Sequence, residues 1–481
     1  MNYKKFFALI LSAAMAISVV GCNSNKKVDT PKNSISDKTD SSTILSDESD
    51  INESRINEAV TEAATTYNSV PENISASLDT TSSEDVDTDI SLDNKPYTVE
   101  NNGNYFLHVG DYIYYRIASK TSLNKNALWG EFLTSVNFYE EEYKDESSEI
   151  WRLNLSTNES EKIADDFGYG PLFSDGTYIY LNEHDGLNSY VTRIALDGTC
   201  EKTISQGQIE GLDAKSGLLA ISYYEKETNN SVLSLYNGTE LINEDKSNQS
   251  LIYSGITSDG AFYMICDYSI NRAFIFQLAP DTEDPICLGT LQDFETGYPN
   301  MEQFWPTDDG IYFVVSELEG TMLMVSNVWI YKASSYSRDD ITDIEIPAEY
   351  SNNDEAPIVP VLYTDENGSL QFSLTPPNTP LLGSFEEGGD LMLAYEKDEY
   401  TSIIDNYRLE PEEFPNTDYE YRYIQQAIEY IDENIFLIVA LAHRDSEYDV
   451  GWRESYSIDS MEYIRIDSDT KKDTILKQIN Y

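Results

Sequence analysis

The sequence predicts an all-β protein, a β-propeller that follows a secretory leader and an acidic tether. Three observations predict it. Short aromatic and β-branched runs recur, each opened by a Gly- or Asn-containing turn. The intervals between those turns include values near the ~40–45 residues of a four-stranded blade. Stretches with helical periodicity are nearly absent.

The first 21 residues are a targeting segment. Lys4 and Lys5 form a basic start, Phe6 to Val20 is apolar, and Val19-Val20-Gly21-Cys22 closes it. Those four residues resemble a bacterial lipobox, and the resemblance implies that Cys22 is lipidated and starts the mature chain. The implied location is the extracellular face of the cytoplasmic membrane, with the membrane as a partner through lipid on Cys22.

Residues 22–95 carry the anchor cysteine and a Ser-, Thr-, Asp- and Asn-rich linker. Such a composition buries too little apolar surface to offset chain entropy, so the linker is expected to be disordered. A flexible chain of this length spans roughly 50 Å.

The propeller is expected over residues 96–481, with seven blades and a range of six to eight. The clearest unit is 174–199. Asp175-Gly176 opens the run Tyr178-Ile179-Tyr180-Leu181, and Tyr190 to Leu196 returns to Asp197-Gly198. Asp-Gly suits a hairpin because the turn needs φ > 0. Further units start at Gly110-Asp111, Ser216-Gly217, Asp259-Gly260, Asp309-Gly310, Asn367-Gly368 and Glu433-Asn434. The ambiguous stretch 422–432 precedes the last turn and is expected to be an inner strand. These units resemble uncharacterised Gram-positive lipoprotein propellers, in the style of low-density-lipoprotein-receptor-like and TolB-like repeats. The residues that carry the likeness are Asp175-Gly176 with Tyr178-Ile179-Tyr180, and Arg193-Ile194 with Asp197-Gly198. The resemblance implies fold and surface location, with no catalytic residues to transfer.

The formal net charge of -55 argues against nucleic acid as a partner, because phosphate neutralisation needs clustered Lys and Arg. Cys200, Cys266 and Cys287 are odd in number, so one disulfide at most forms, and small buried side chains are the plainer expectation. No cofactor is expected. Calcium has weak support from Asp365-Glu366-Asn367-Gly368 and Asp467-Ser468-Asp469, which Asp/Asn turns also explain.

Ring closure makes the first and last blades neighbours. The loops Ser119 to Ser148 and Ala442 to Ser460 are therefore expected side by side, with Asn182 to Ser189 next along. They carry the candidate ligand-binding residues Trp129, His184, His443, Arg444, Trp452 and Arg453, together with Phe132, Tyr139 and Tyr448. The function expected from these features is a non-enzymatic binding or scaffold module for a protein or cell-surface glycan. Two alternatives stand beside it. One is an extracellular hydrolase or lyase acting on polysaccharide or peptide, which carboxylates converging in the central channel would favour. The other is a transporter's solute receptor, which needs alternating strands and helices.

Overall fold

The computed structural model describes residues 96–481, except 120–125, 129–131, 134–146, 185–187, 295–296, 320–323, 348–356, 366–368, 374–380, 383–390, 397–398, 405–420, 433, 447–448, 450–453, 468–469 and 471. The leader, Cys22 and the tether lie outside the described residues. Among the described residues no helix is long and apolar enough to cross a membrane.

Residues 96–481 form a succession of antiparallel sheets, as a β-propeller does. The first has strands Val99–Glu100, Phe106–Val109, Tyr112–Ile117, Ser148–Asn154 and Ser160–Asp166. The second has Phe173–Ser174, Tyr178–His184, Ser189–Ala195 and Lys202–Gln206. The third has Gln208–Asp213, Leu218–Glu225, Asn230–Asn237 and Glu240–Ser247. The fourth has Ser250–Thr257, Gly260–Asp267, Arg272–Leu278 and Ile286–Thr290. The fifth has Tyr298–Thr307, Gly310–Glu319, Met324–Ala333 and Ile341–Ile344. The last has Tyr421–Ile431, Asn434–Arg444, Ser455–Asp467 and Asp473–Asn480. Between the fifth and last, Val361–Thr364 pairs with Leu370–Ser373, and Leu381–Leu382, Leu391–Glu396 and Glu399–Ile404 form a second small sheet. A count of seven blades holds if these two small sheets share one blade. Tyr421–Ile431 is the inner strand that the ambiguous 422–432 stretch was expected to form.

Each sheet buries both faces, which is why its second strand is apolar throughout rather than alternating. Gly310–Glu319 is buried at nine of its ten positions, and Asn434–Arg444 at nine of eleven. Neighbouring sheets share cores. Leu107 and Ile150 of the first pack with Ile179 and Ile194 of the second, and Leu218 and Leu233 of the third with Tyr263 of the fourth.

The ring closes through side-chain packing and a grafted strand. Phe106 meets Phe436 at 5.2 Å and Tyr115 meets Tyr463 at 6.1 Å, within one shared core. Asn126–Leu128, from the insertion of the first sheet, pairs with Ser455–Ser457 of the last. The two long insertions therefore meet. Glu429 of the last sheet accepts the N–H groups of Tyr105 and Phe106 at 2.9 Å and the Asn101 amide at 2.6 Å.

The cysteines depart from expectation in one respect. All three are free, and Cys266 is buried, but Cys200 is exposed in a left-handed turn at φ 57.

Candidate functional site

Antiparallel order fixes which loops share an end of the ring. The loop between second and third strands lies at the same end as the link from one sheet's outer strand to the next sheet's inner strand. The opposite end is filled by the chain itself. Gly103 and Asn104 pair with Leu172, while the Asn102 amide bridges the Ser174 and Leu212 carbonyls at 3.1 Å each. Asn101 reaches Glu429. Residues 101–105 thus touch the inner strands of the last, first, second and third sheets and plug the axial channel from below. The upper end, where the insertions lie, is the open one.

The inner strands carry bulges at matching positions. Register shifts fall at Glu210, Ser254, Glu302 and Gln426. A bulge leaves one residue outside the ladder and re-aims its side chain. Two of these four residues are carboxylates. The Ser222 hydroxyl donates to Glu210, and burial pushes the Glu210 carboxyl above its ordinary range. Asn300 and Ser316 both donate to Glu302.

A denser cluster sits at the upper end between the first and second sheets. Arg116, near the end of a second strand, and Asp166, at the end of an outer strand, are both buried and paired through Nε. Arg116 Nη1 also donates to the Gly170 carbonyl at 2.8 Å. Burial raises the Asp166 carboxyl to about 6; Arg116 opposes that rise and Glu183 reinforces it. Asp166 Oδ1 and Arg116 Nη2 have no hydrogen-bond partner among the described groups. The Glu183 carboxyl is within hydrogen-bonding reach of Asp166, so a proton shared by the two carboxyls is the partner this geometry accommodates. Gly168 leaves the room for this arrangement. A Cβ there would fall 1.9 Å from the Asn182 carbonyl, 2.8 Å from Asp166 Oδ1 and 2.9 Å from Arg116 Nη2. Tyr169 follows; its hydroxyl accepts from the Gln208 amide, and its ring lies 5.9 Å from His184. Burial raises the Tyr169 hydroxyl, with Arg116 and Glu210 both near enough to act on it electrostatically. Arg116, Asp166, Glu183, Tyr169, Gln208 and Glu210 thus form a continuous polar path from the first sheet to the third.

The residues expected from the sequence are distributed otherwise. His184 belongs to this cluster. His443 and Arg444 sit on the last sheet, with the first sheet between them and His184. His443 Nδ1 lies 2.7 Å from Asp459, and Arg444 is paired with Asp449 and Glu454. Phe132 is fully buried, and its N–H donates to Gln426, so it packs the insertion rather than presenting a surface. Trp129, Tyr139, Tyr448, Trp452 and Arg453 lie outside the described residues. Asp365 and Asp467 accept hydrogen bonds from their own turns, at Ser369 and Thr470. No group of three or more metal-ligating side chains is found among the described residues. Sequence reasoning missed Arg116, Asp166, Glu183 and Glu210. Glu210-Gly211, an acid beside a glycine inside an apolar strand, was the one local signal available.

No family model matches the chain, and no curated protein matches it. Solved propellers do resemble it. The β-propeller domain of the Trilobed protease from Pyrococcus furiosus is 13% identical with a TM-score of 0.37, covering 80% of this chain and 96% of that one. An acylaminoacyl peptidase from Pyrococcus horikoshii is 14% identical with a TM-score of 0.35; the match covers 73% of this chain and about half (51%) of the peptidase. An oligogalacturonate lyase in complex with manganese is 13% identical with a TM-score of 0.32, covering 76% of this chain and 96% of the lyase. At these identities the likeness is one of fold. The expectation of a non-enzymatic binding or scaffold module is corrected here. The propellers found are named for peptidases and a lyase, and the upper end gathers the carboxylates that the sequence reading set as the mark of the enzymatic alternative.

Proposed function

We propose that this chain is an extracellular polysaccharide hydrolase, anchored through Cys22, whose active site is the upper mouth of the axial channel. The observation that carries the reading is the Asp166–Glu183 carboxyl pair beside Arg116 and Tyr169. Cleaving a glycosidic bond needs a proton for the departing oxygen and a second carboxylate for the opposite side of the sugar. Glu183 is the more exposed member of its pair and donates the proton. Asp166, fully buried, is a positioning residue that keeps that proton in the pair. Glu210, across Tyr169 and Gln208, activates the water. The C–O bond breaks, the leaving oxygen takes the proton from Glu183, the anomeric carbon takes hydroxide from water, and Glu210 takes the remaining proton. The reducing chemistry of the anchor plays no part. The leader, the lipobox and the tether support an outer-face location.

The test is release of new reducing ends from a panel of cell-surface polysaccharides. Glu183→Gln is expected to lower kcat by roughly 10²–10⁴-fold with KM little changed, the usual contribution of a general acid. An unsaturated product absorbing in the ultraviolet would mean elimination instead of hydrolysis. Wild-type rates retained by Glu183→Gln would remove this assignment.

A further inference from the structure

The upper end also exposes a set of aromatic rings. Tyr224 ends the second strand of the third sheet and is 52% exposed. Tyr268 follows the second strand of the fourth sheet and Tyr298 opens the inner strand of the fifth; they are 49% and 57% exposed. The last two meet edge to face at 5.8 Å. Phe167, 52% exposed, stands beside Asp166 at the same end of the second sheet. Large rings are rarely left half in water in the same register on successive sheets without something to cover them. Because the sheets are consecutive, the rings follow the channel mouth away from Glu183.

The charge around the rings selects what covers them. Glu225, Glu227, Asp267 and Glu319 lie on the same turns and strand ends. The cations of these three sheets at this end are Lys226, Lys246 and Arg272. Lys246 is held by Glu225 and Glu244, and Arg272 by Asp293 at 2.6 Å. The whole chain carries -55. A uronate polymer would meet carboxylate with carboxylate, whereas a sugar bearing an ammonium group would meet its counterion beside each ring.

We infer that Tyr224, Tyr268 and Tyr298 are subsites for a polysaccharide of amino sugars with free, protonated amines, held by ring stacking and by the carboxylates between the rings. The inference deepens the proposed hydrolase function and rests on it, because it names the substrate class of that same mouth.

The experiment is calorimetric titration of the full chain, below neutral pH, with hexaglucosamine, its fully N-acetylated form and hexagalacturonate. Hexaglucosamine is expected to bind about tenfold or more tightly than the acetylated form, and hexagalacturonate not measurably. The double variant Tyr268→Ala/Tyr298→Ala is expected to weaken hexaglucosamine binding about tenfold or more. Tyr224→Ala, on a different sheet, is expected to weaken it less, and keeps the test open if the double variant does not fold. Preference for the acetylated or the uronate oligomer overturns the inference. So does unchanged binding by the tyrosine variants, since the general negative charge would then account for all of it. Glu183→Gln separates the two readings. A wild-type chain that binds hexaglucosamine through these rings but cleaves no polysaccharide refutes the hydrolase and leaves the binding site standing. A chain that cleaves polysaccharide through Glu183 regardless of the tyrosines keeps the hydrolase and refutes this subsite.

Discussion

Glu429 shows how one carboxyl ties the fold to pH. Burial pushes it up to about 8, against three N–H donors that favour its charged form. A group with a raised folded pKa stabilises most when protonated, below its unfolded value near 4.3. That contribution is lost as pH climbs towards 8. Chemical denaturation is therefore expected to show stability falling between about pH 5 and 8, by at most about 1.4 kcal/mol per pH unit from this group. Glu429→Gln should flatten that slope while weakening the seam, because one of the two oxygens that accept backbone N–H groups becomes a donor. Asp166 carries the matching functional expectation. The Asp166–Glu183 pair must hold its proton to act as an acid, so kcat/KM is expected to fall as pH rises through about 6. Asp166→Asn should move or erase that limb. None of this was visible in the sequence. Arg116 and Asp166 are 50 positions apart, Glu183 lies on the next sheet, and what joins them is burial, which a chain with 86 acidic residues does not advertise.

At the scale of the strand, the sequence was far more informative. Turn glycines must adopt positive φ, and Gly176 and Gly198 do so at 84° each. Runs such as Ile311 to Val315 can be stable only where both faces are covered, so the second and third strands were legible from residue type alone. The bulges were not, because one extra residue in a strand leaves no compositional trace. Their energetic counterpart is the glycine that follows. A Cβ on Gly211 would fall 2.1 Å from the Tyr253 hydroxyl, and one on Gly255 would fall 2.1 Å from the Phe304 ring. Each inner strand thus lies directly against an aromatic of the next. Gly255→Ala is expected to cost about 1–3 kcal/mol, read as a lower denaturant midpoint at unchanged slope. An unchanged midpoint would mean that the inner strands are not packed this closely.

For the whole molecule, sheets too small to survive alone cover one another, and the first and last meet at a seam of aromatic packing, Glu429 and the grafted strand Asn126–Leu128. The closing of the ring was legible in the sequence as a consequence of repetition. The plug formed by residues 101–105 was not, since a run of asparagines before the first strand reads as an ordinary loop. That plug leaves one way into the channel. If the leader carries the lipid, Cys22→Ser should release the chain from the membrane fraction while its cleavage of soluble polysaccharide is unchanged. The central claim is that substrate enters at the upper mouth, over the rings and towards the carboxyl pair. Hydrogen–deuterium exchange of the full chain with and without hexaglucosamine tests it most directly. Protection is expected at residues 167–170, 208–210, 224–229, 266–271 and 297–302. Protection at the opposite turns, 175–177, 214–217 and 257–260, or none at all, would contradict it.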